Sequence, residues 1–400
     1  MHPYACYGNE NIQDVRLSFS GDVGSYAFYE CTGIKNANIS NQGNIGNYAF
    51  SKDVALKSAT LGENITSIGE YAFSGCKSLL SIIIPNAVTS LGTYAFSDCS
   101  SMQSAQIGNG VSAINKNTFE SCTSLTDVKI GSKVKTIGNY AFRYCSALSS
   151  IQIPQAVDEL NDYVFSGCKA LKTVVMEDRA DDSVLSLGHN GSSPLFGDCP
   201  LDSVYIGRNI SYSISNSDGY SPFYRNTSLR SVVITDKETE ISGNEFYGCS
   251  NLKNVRIGDG VKTIGNWAFS GCSSLDYFAF GSSVESIGQE AFSDCTAMTR
   301  LISRAVTPPT CGSQALDDIN KWNCTLTVPE GHVAAYQQAA QWKEFFFIEE
   351  GTAGISHVTV GQGTDYKQLY DLNGHRQSAP QRGLNIIKMG DGTTKKWFKK

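Results

Sequence analysis

Thirteen cysteines and five histidines are the residues of this 400-residue chain best suited to chemistry. Thiolates and imidazoles in the right spacing hold zinc, form nucleophilic pairs or build a disulfide frame. The spacing here supports none of these. His2, His189, His332, His357 and His375 fall singly, and none lies in an H-E-x-x-H helix motif. No C-x-x-C is present, nor a G-x-S-x-G elbow, a Walker A loop or a dinucleotide-binding glycine pattern. Asp178, Asp181 and Asp182 crowd one segment, but their spacing is not that of an EF-hand calcium loop, and solvation is the simpler reading. The expectation is a chain with no catalytic residues, no metal and no cofactor.

The cysteines have a regularity of a different kind. Phenylalanine recurs at Phe28, Phe50, Phe73, Phe96, Phe119, Phe142, Phe165, Phe196, Phe223, Phe246, Phe269 and Phe292. In ten of these twelve places a Cys stands three residues later; Asp53 and Asn226 are the exceptions. A thiol locked to a large apolar side chain reads as a small buried plug, since free Cys is among the most buried residue types. Only Cys311 and Cys324, outside this slot, form a candidate disulfide pair. Glu245 and Glu290, just before their Phe residues, are expected on the outer face, in solvent.

The intervals between the phenylalanines are 22, then 23 five times, then 31, 27, and 23 three times. Apolar residues follow in fixed phase, as Leu79, Ile82 and Ile84 or Leu252, Val255 and Ile257 show. Two more precede the next Phe, for example Val134 and Ile137, and a Gly commonly comes directly after the second. Cys6 occupies the Phe slot of a further, partial unit with Ile12, Val15 and Leu17. The L-x-x-I-x-I segment alternates with period two, the mark of a half-buried strand. One such strand cannot bury its apolar side alone; stacked copies make a parallel sheet over one continuous core. The Y-A-F-x-x-C stretch is read as a turn of helix on the opposite face, and the Ile-Gly step as a corner.

The pattern I-G-x-x-A-F-x-x-C-x-x-L-x-x-V-x-I-P resembles that of the BspA-like bacterial leucine-rich-repeat surface proteins. Residues 65–85, ITSIGEYAFSGCKSLLSIIIP, and 261–280, VKTIGNWAFSGCSSLDYFAF, carry it almost position for position. The expected fold is a leucine-rich-repeat solenoid of α/β type, with short parallel strands on one face and short helical turns on the other. It spans residues 1–305 in about thirteen units. A closing cap is expected at 306–350, where VTPPTCGSQAL and LTVPEGHVAAYQQAAQWKEF resemble that family's C-terminal end. After a Gly351–Gly354 linker, 351–400 alternates apolar and polar residues around Asn-Gly and Asp-Gly turns, as a small β tail would. This tail resembles modules associated with export or surface retention in anaerobic gut and oral bacteria.

Composition narrows the partners. A net charge of -6 argues against a nucleic-acid surface, and no apolar run of 18 residues suggests a transmembrane helix. The first residues lack a signal-peptide pattern and already sit inside a repeat, so they say nothing about targeting. The intervals of 31 and 27 place inserted loops in two consecutive units, at 177–194 and 208–222. Ten residues after each Phe (nine after Phe196) lies the central outward strand position. It reads Asn38, Thr60, Ile83, Gln106, Lys129, Gln152, Val175, Tyr205, Val233, Arg256, Ala279 and Ile302. Tyr and Arg dominate binding hot spots. Tyr205, Arg256 and Tyr277, with Val175 and Val233, are therefore the candidate ligand-binding residues. The resemblance implies an extracellular or cell-surface adhesin for a host protein or another cell. The alternatives are a glycan-binding protein, with Tyr205 and Tyr277 as stacking platforms, and a structural spacer.

Overall fold

The computed structural model describes residues 1–40, 42–189, 193–213 and 220–351, and beyond them the backbone of four strands. The chain divides into two compact units, Met1–Gly351 and Thr352–Lys400. The first is a β-solenoid of about 14 turns with parallel strands and almost no helix. Its repeating strands run Ser150–Ile153, Thr173–Met176, Ser203–Ile206, Ser231–Ile234 and Asn254–Ile257 through the middle of the array, hydrogen-bonded in that order. The register passes from rung to rung without slipping, as Val174↔Val204↔Val232↔Val255 shows. Alternation survives intact: Val255 and Ile257 point inward, Asn254 and Arg256 outward.

Behind the strands the twelve phenylalanines form one stack. Phe50, Phe73 and Phe96 lie nearly parallel, with ring centroids 5.2 and 5.3 Å apart. Each fully buried ring contributes about 1.5–3 kcal/mol of burial, and stacked contacts add to it. The Cys slot serves a second purpose there. Cys76 Sγ donates to the Phe50 carbonyl at 3.1 Å, Cys99 to Phe73 at 3.2 Å, and Cys145 to Phe119 at 3.2 Å. Cys31 does the same to the carbonyl of Cys6, at 2.9 Å, which places Cys6 in the Phe slot.

The opposite face is not helical, which corrects the α/β expectation. Residues two before and two after the Phe hold left-handed backbone, as Tyr48 (φ 58°) and Lys52 (φ 64°) do around Phe50. Two such residues within five prevent a continuous right-handed helix. The N–H groups of Tyr71, Phe73 and Gly75 instead donate to Thr93, Ala95 and Ser97 of the next rung, at 3.0, 2.8 and 2.8 Å. This wall is thus a third ladder of bonds between rungs. The Ile-Gly corner also differs from expectation. It is a second series of short parallel strands, among them Glu240–Ile241, Thr263–Ile264, Ser286–Ile287 and Thr310–Cys311. The glycine that follows lets the rungs close up: a Cβ on Gly92 would lie 2.3 Å from the Gly69 carbonyl carbon.

Parallel pairing continues past residue 305. Arg300–Ser303 pairs with Thr325–Pro329, and that strand with Phe347–Gly351. Between them lie a four-residue helix, Val333–Tyr336, and a 3-10 turn, Trp342–Glu344. Trp342 is buried edge-on against Phe280 and donates its indole N–H to the Pro309 carbonyl at 2.8 Å. Tyr336 likewise reaches Ala305 at 2.7 Å. Both lay apolar surface over the last rung and satisfy their polar atoms while doing so. The candidate disulfide does not form: Cys311 and Cys324 are both thiols.

In the second unit, Gln368–Tyr370, Arg376–Gln377, Gly383–Lys388 and Thr394–Lys399 pair antiparallel. The expected Asn373-Gly374 and Asp391-Gly392 turns, most of the linker, His357 and His375 lie outside the described residues.

Candidate binding surface

Strand periodicity and unbroken register together determine what the solenoid presents on its strand face. Gln152, Val175, Tyr205, Val233 and Arg256 are direct partners across five successive strands and form one continuous row. Gln152 and Arg256, at its ends, are exposed, and the three residues between are half-buried among their neighbours. Tyr277 lies on the next strand, opposite Arg300 and two positions out of the row. It stands three rungs from Tyr205, about 14 Å, so the two tyrosines do not make one platform for a single sugar ring. The far end of the expected row also fails. Ile302 is only 5% exposed and belongs to the closed end of the core.

Tyr205 is tied down. Its hydroxyl donates to both carboxylate oxygens of Asp178, at 2.9 and 3.1 Å. Partial burial, then the hydrogen bond to Asp178 and its charge, pushes the phenol above its ordinary range, with Arg256 opposing. Asp178 belongs to the first inserted segment, which is pinned beside the row by further contacts. Arg179 reaches Asp158 at 2.5 Å and Asp181 at 2.7 Å. Glu177 accepts from Gln152 and from the backbone N–H of Gln155. Asp178 is thus held by a phenol and Asp181 by a guanidinium. Residues 190–192 and 214–219 of the two inserts lie outside the described residues.

Under the first insert is an arginine that the repeat pattern did not single out. Arg208 is 1% exposed, and its guanidinium meets the carbonyls of Glu177, Gln155, Val157, Ile153 and Pro154 at 2.8–3.1 Å. The only trace in sequence is its place just after the strand Ser203–Ile206, at the start of the second insert.

Glu245 overturns its expectation of a solvated outer position. It occupies the slot that holds Ala in seven units, points inward and is fully buried. Glu238 is buried nearby, and Tyr212 donates to the Gly243 carbonyl at 2.7 Å. One oxygen of each glutamate is bonded, to Ser242 N at 2.8 Å for Glu245 and to Ile210 N at 3.4 Å for Glu238. The other has no partner. Burial raises both acids, and the charge of Glu245 raises Glu238 further. Both carboxyls are closed off from solvent. Among the described residues, no cluster of His, Cys, Asp and Glu could hold a metal ion, and no helix is long and apolar enough to cross a membrane.

Comparison with known families agrees with this architecture. A family profile described as BspA type leucine rich repeat region matches in six copies, over residues 1–79, 43–172 and 216–318. A solved leucine-rich repeat protein from Bacteroides ovatus is 25% identical, over 85% of this chain and 92% of its own, with a TM-score of 0.49. A leucine rich cell surface protein from Faecalibacterium prausnitzii is 19% identical, over 86% and 89%, with a TM-score of 0.36. A leucine-rich repeat protein from Eubacterium ventriosum is 22% identical, over 72% and 83%, with a TM-score of 0.34. No curated protein matches the chain.

Proposed function

The chain belongs to the BspA-type leucine-rich-repeat family, and from that premise we propose that it is a non-catalytic surface or secreted adhesin. Its partner is a protein on a host or neighbouring cell, held on the strand face. The observation that carries this reading is the row Val175–Tyr205–Val233–Arg256, carried across adjacent parallel strands without a break in register. Two aliphatic side chains, a ring and a guanidinium on a rigid sheet suit a protein anchor. Apolar area supplies affinity, Arg supplies directed hydrogen bonds, and little side-chain freedom is lost on binding. Repeat scaffolds suit this work because outward positions vary without cost to the core. The first insert, pinned beside the row through Tyr205 and Asp178, extends the same surface. The tail from 351 onward serves export or retention at the surface in this reading.

The test is binding of the full chain to immobilised host matrix proteins and to whole cells. A Val233→Asp, Arg256→Glu variant, checked for unchanged melting, is run beside it. Saturable binding that this variant loses supports the proposal. Binding that it retains moves the contact off the row, and silence on every protein and cell leaves the spacer reading in front.

A further inference from the structure

A second surface, on the corner wall and away from the strand-face row, has the chemistry of a different ligand. A groove of about 640 Å³ runs across the four short strands from Glu240–Ile241 to Thr310–Cys311. Its wall carries Glu240, Thr263, Ser286 and Thr310, which are direct partners rung to rung. Rungs about 4.8 Å apart therefore offer polar groups at a spacing near the advance of one residue along an extended sugar chain. Trp267 stands at the side of the groove.

The position of Trp267 within the repeat sets this wall apart from the N-terminal rungs. Two residues before the Phe, the N-terminal rungs carry tyrosines that cover one another: Tyr26 on Tyr48 at 4.7 Å, Tyr48 on Tyr71 at 4.7 Å, Tyr71 on Tyr94 at 4.6 Å. The flanking residues in the Trp267 column are Asn244 and Glu290, each with left-handed backbone like its own. Among the described residues no ring stacks on the indole, which is partly exposed. Its backbone is held by a hydrogen bond to the Gln289 carbonyl at 2.9 Å. The groove floor is backbone, because a Cβ on Gly265 would lie 2.5 Å from the Gly243 nitrogen.

We propose that this groove binds a neutral oligosaccharide. The indole covers the apolar face of one pyranose ring, and the row of hydroxyls with Glu240 and the Asn266 amide meets the hydroxyls of this unit and the next. The lining contains no Lys or Arg, which disfavours phosphates, sulfated chains and nucleic acids. A peptide is disfavoured as well. The two inner strands, Thr263–Ile264 and Ser286–Ile287, are already hydrogen-bonded on both sides, so the middle of the groove offers no edge for a peptide strand to pair with.

The probe is a panel of soluble neutral oligosaccharides, β-linked gluco-, xylo- and chito-oligomers and α-linked gluco-oligomers. It is titrated against the full chain by calorimetry and tryptophan fluorescence. Trp267→Asn is the informative variant, because Asn117 and Asn244 already hold the same left-handed slot and the fold tolerates it. At least one oligomer binds saturably, affinity falls by about tenfold or more in Trp267→Asn, and Thr263→Ala weakens it less. The Val233→Asp, Arg256→Glu variant binds the sugar as the native chain does, so failure of the adhesin reading leaves this result standing. No binding across the panel, or binding that Trp267→Asn leaves intact, overturns the proposal.

Discussion

Asp53 accepts the backbone N–H of Cys31 on its Oδ1 at 2.8 Å, while its Oδ2 is sealed in the core without a hydrogen-bond partner. This is the Cys slot, where the thiols of Cys122, Cys168 and Cys249 donate to the Phe carbonyl of the preceding rung. Asn226, the other exception, also donates, from its side-chain amide to Phe196 and Cys199 at 3.2 and 2.8 Å. These occupants donate from the slot, whereas Asp53 only accepts there. Burial, partly offset by the Cys31 N–H, pushes the Asp53 acid up to about 9. Replacing it should help. Asp53→Cys or Asp53→Asn is expected to stabilise the chain at pH 8 by about 1–2 kcal/mol, seen as a higher urea midpoint. A midpoint lower than that of the native chain in both variants would show that a donor in this slot adds nothing.

The same physics predicts the pH profile. Asp53, Glu238 and Glu245 are all raised in the folded chain, chiefly by burial. A raised acid contributes full stability below its unfolded value, near 4, and loses it as pH climbs toward the folded value. For Asp53 that window closes at about 9. The slope is at most about 1.4 kcal/mol per pH unit for each group. Asp158 and Asp318, lowered chiefly by hydrogen bonds from Arg179 and Ser293, act oppositely and only in acid. Urea midpoints should therefore fall steadily from pH 5 to pH 9, and a Glu238→Gln, Glu245→Gln variant should flatten the decline. Midpoints that rise over this interval would show that these acids are ionised in the fold.

Most of the core could be read from the sequence because it depends on side-chain type at fixed spacing. The Phe stack, the Cys slot, the place of Cys6 and the inward Val and Ile positions all followed from that. The helical turn did not, because the conformation around Phe50 lies in the backbone of Tyr48 and Lys52, residue types with no preference for left-handed angles. Glu245 was misplaced because its charge was read ahead of its phase, although it stands where Ala72 and Ala268 are buried. Of the candidate surface, the row from Val175 to Arg256 was legible from period and register. The tie between Tyr205 and Asp178 was not, since it depends on how an insert of no regular period folds back. Arg208 was hidden for a related reason, because its partners are carbonyls, which leave no pattern in side chains.

Arg208 makes a direct prediction from that carbonyl cradle. A guanidinium has five N–H donors, and each here has an acceptor: Glu177 for Nε, Gln155 and Val157 for Nη1, Ile153 and Pro154 for Nη2. Arg208→Met keeps much of the length and removes every donor, leaving buried carbonyls facing a thioether. The expected cost is about 3–5 kcal/mol, with Arg208→Lys intermediate, since an ammonium has three donors and a different shape. Hydrogen exchange should rise locally at 177–186, where the insert rests on this cradle. A Met variant as stable as the native chain would mean that the carbonyls find water instead.

The cysteine ladder predicts inert thiols. Ten cysteines sit in the Phe-linked slot, and burial pushes the thiol of Cys31 up to about 11 and those of Cys168 and Cys249 up to about 12. Cys6 and Cys311 are the half-buried ones. Even Cys311 is pushed up to about 12, mainly by burial. Because the thiolate is the reactive form, a thiol that is both buried and raised reacts only when its rung opens. A disulfide reagent at pH 8 should therefore modify at most Cys6 and Cys311 quickly in the native chain, with the rest following at the rate of local unfolding. In strong denaturant all thirteen should react at once. Fast native labelling at Cys122 or Cys145 would show that the rungs breathe, and the stacked phenylalanines beside them would then be far less tightly held than their 5–6 Å spacing implies.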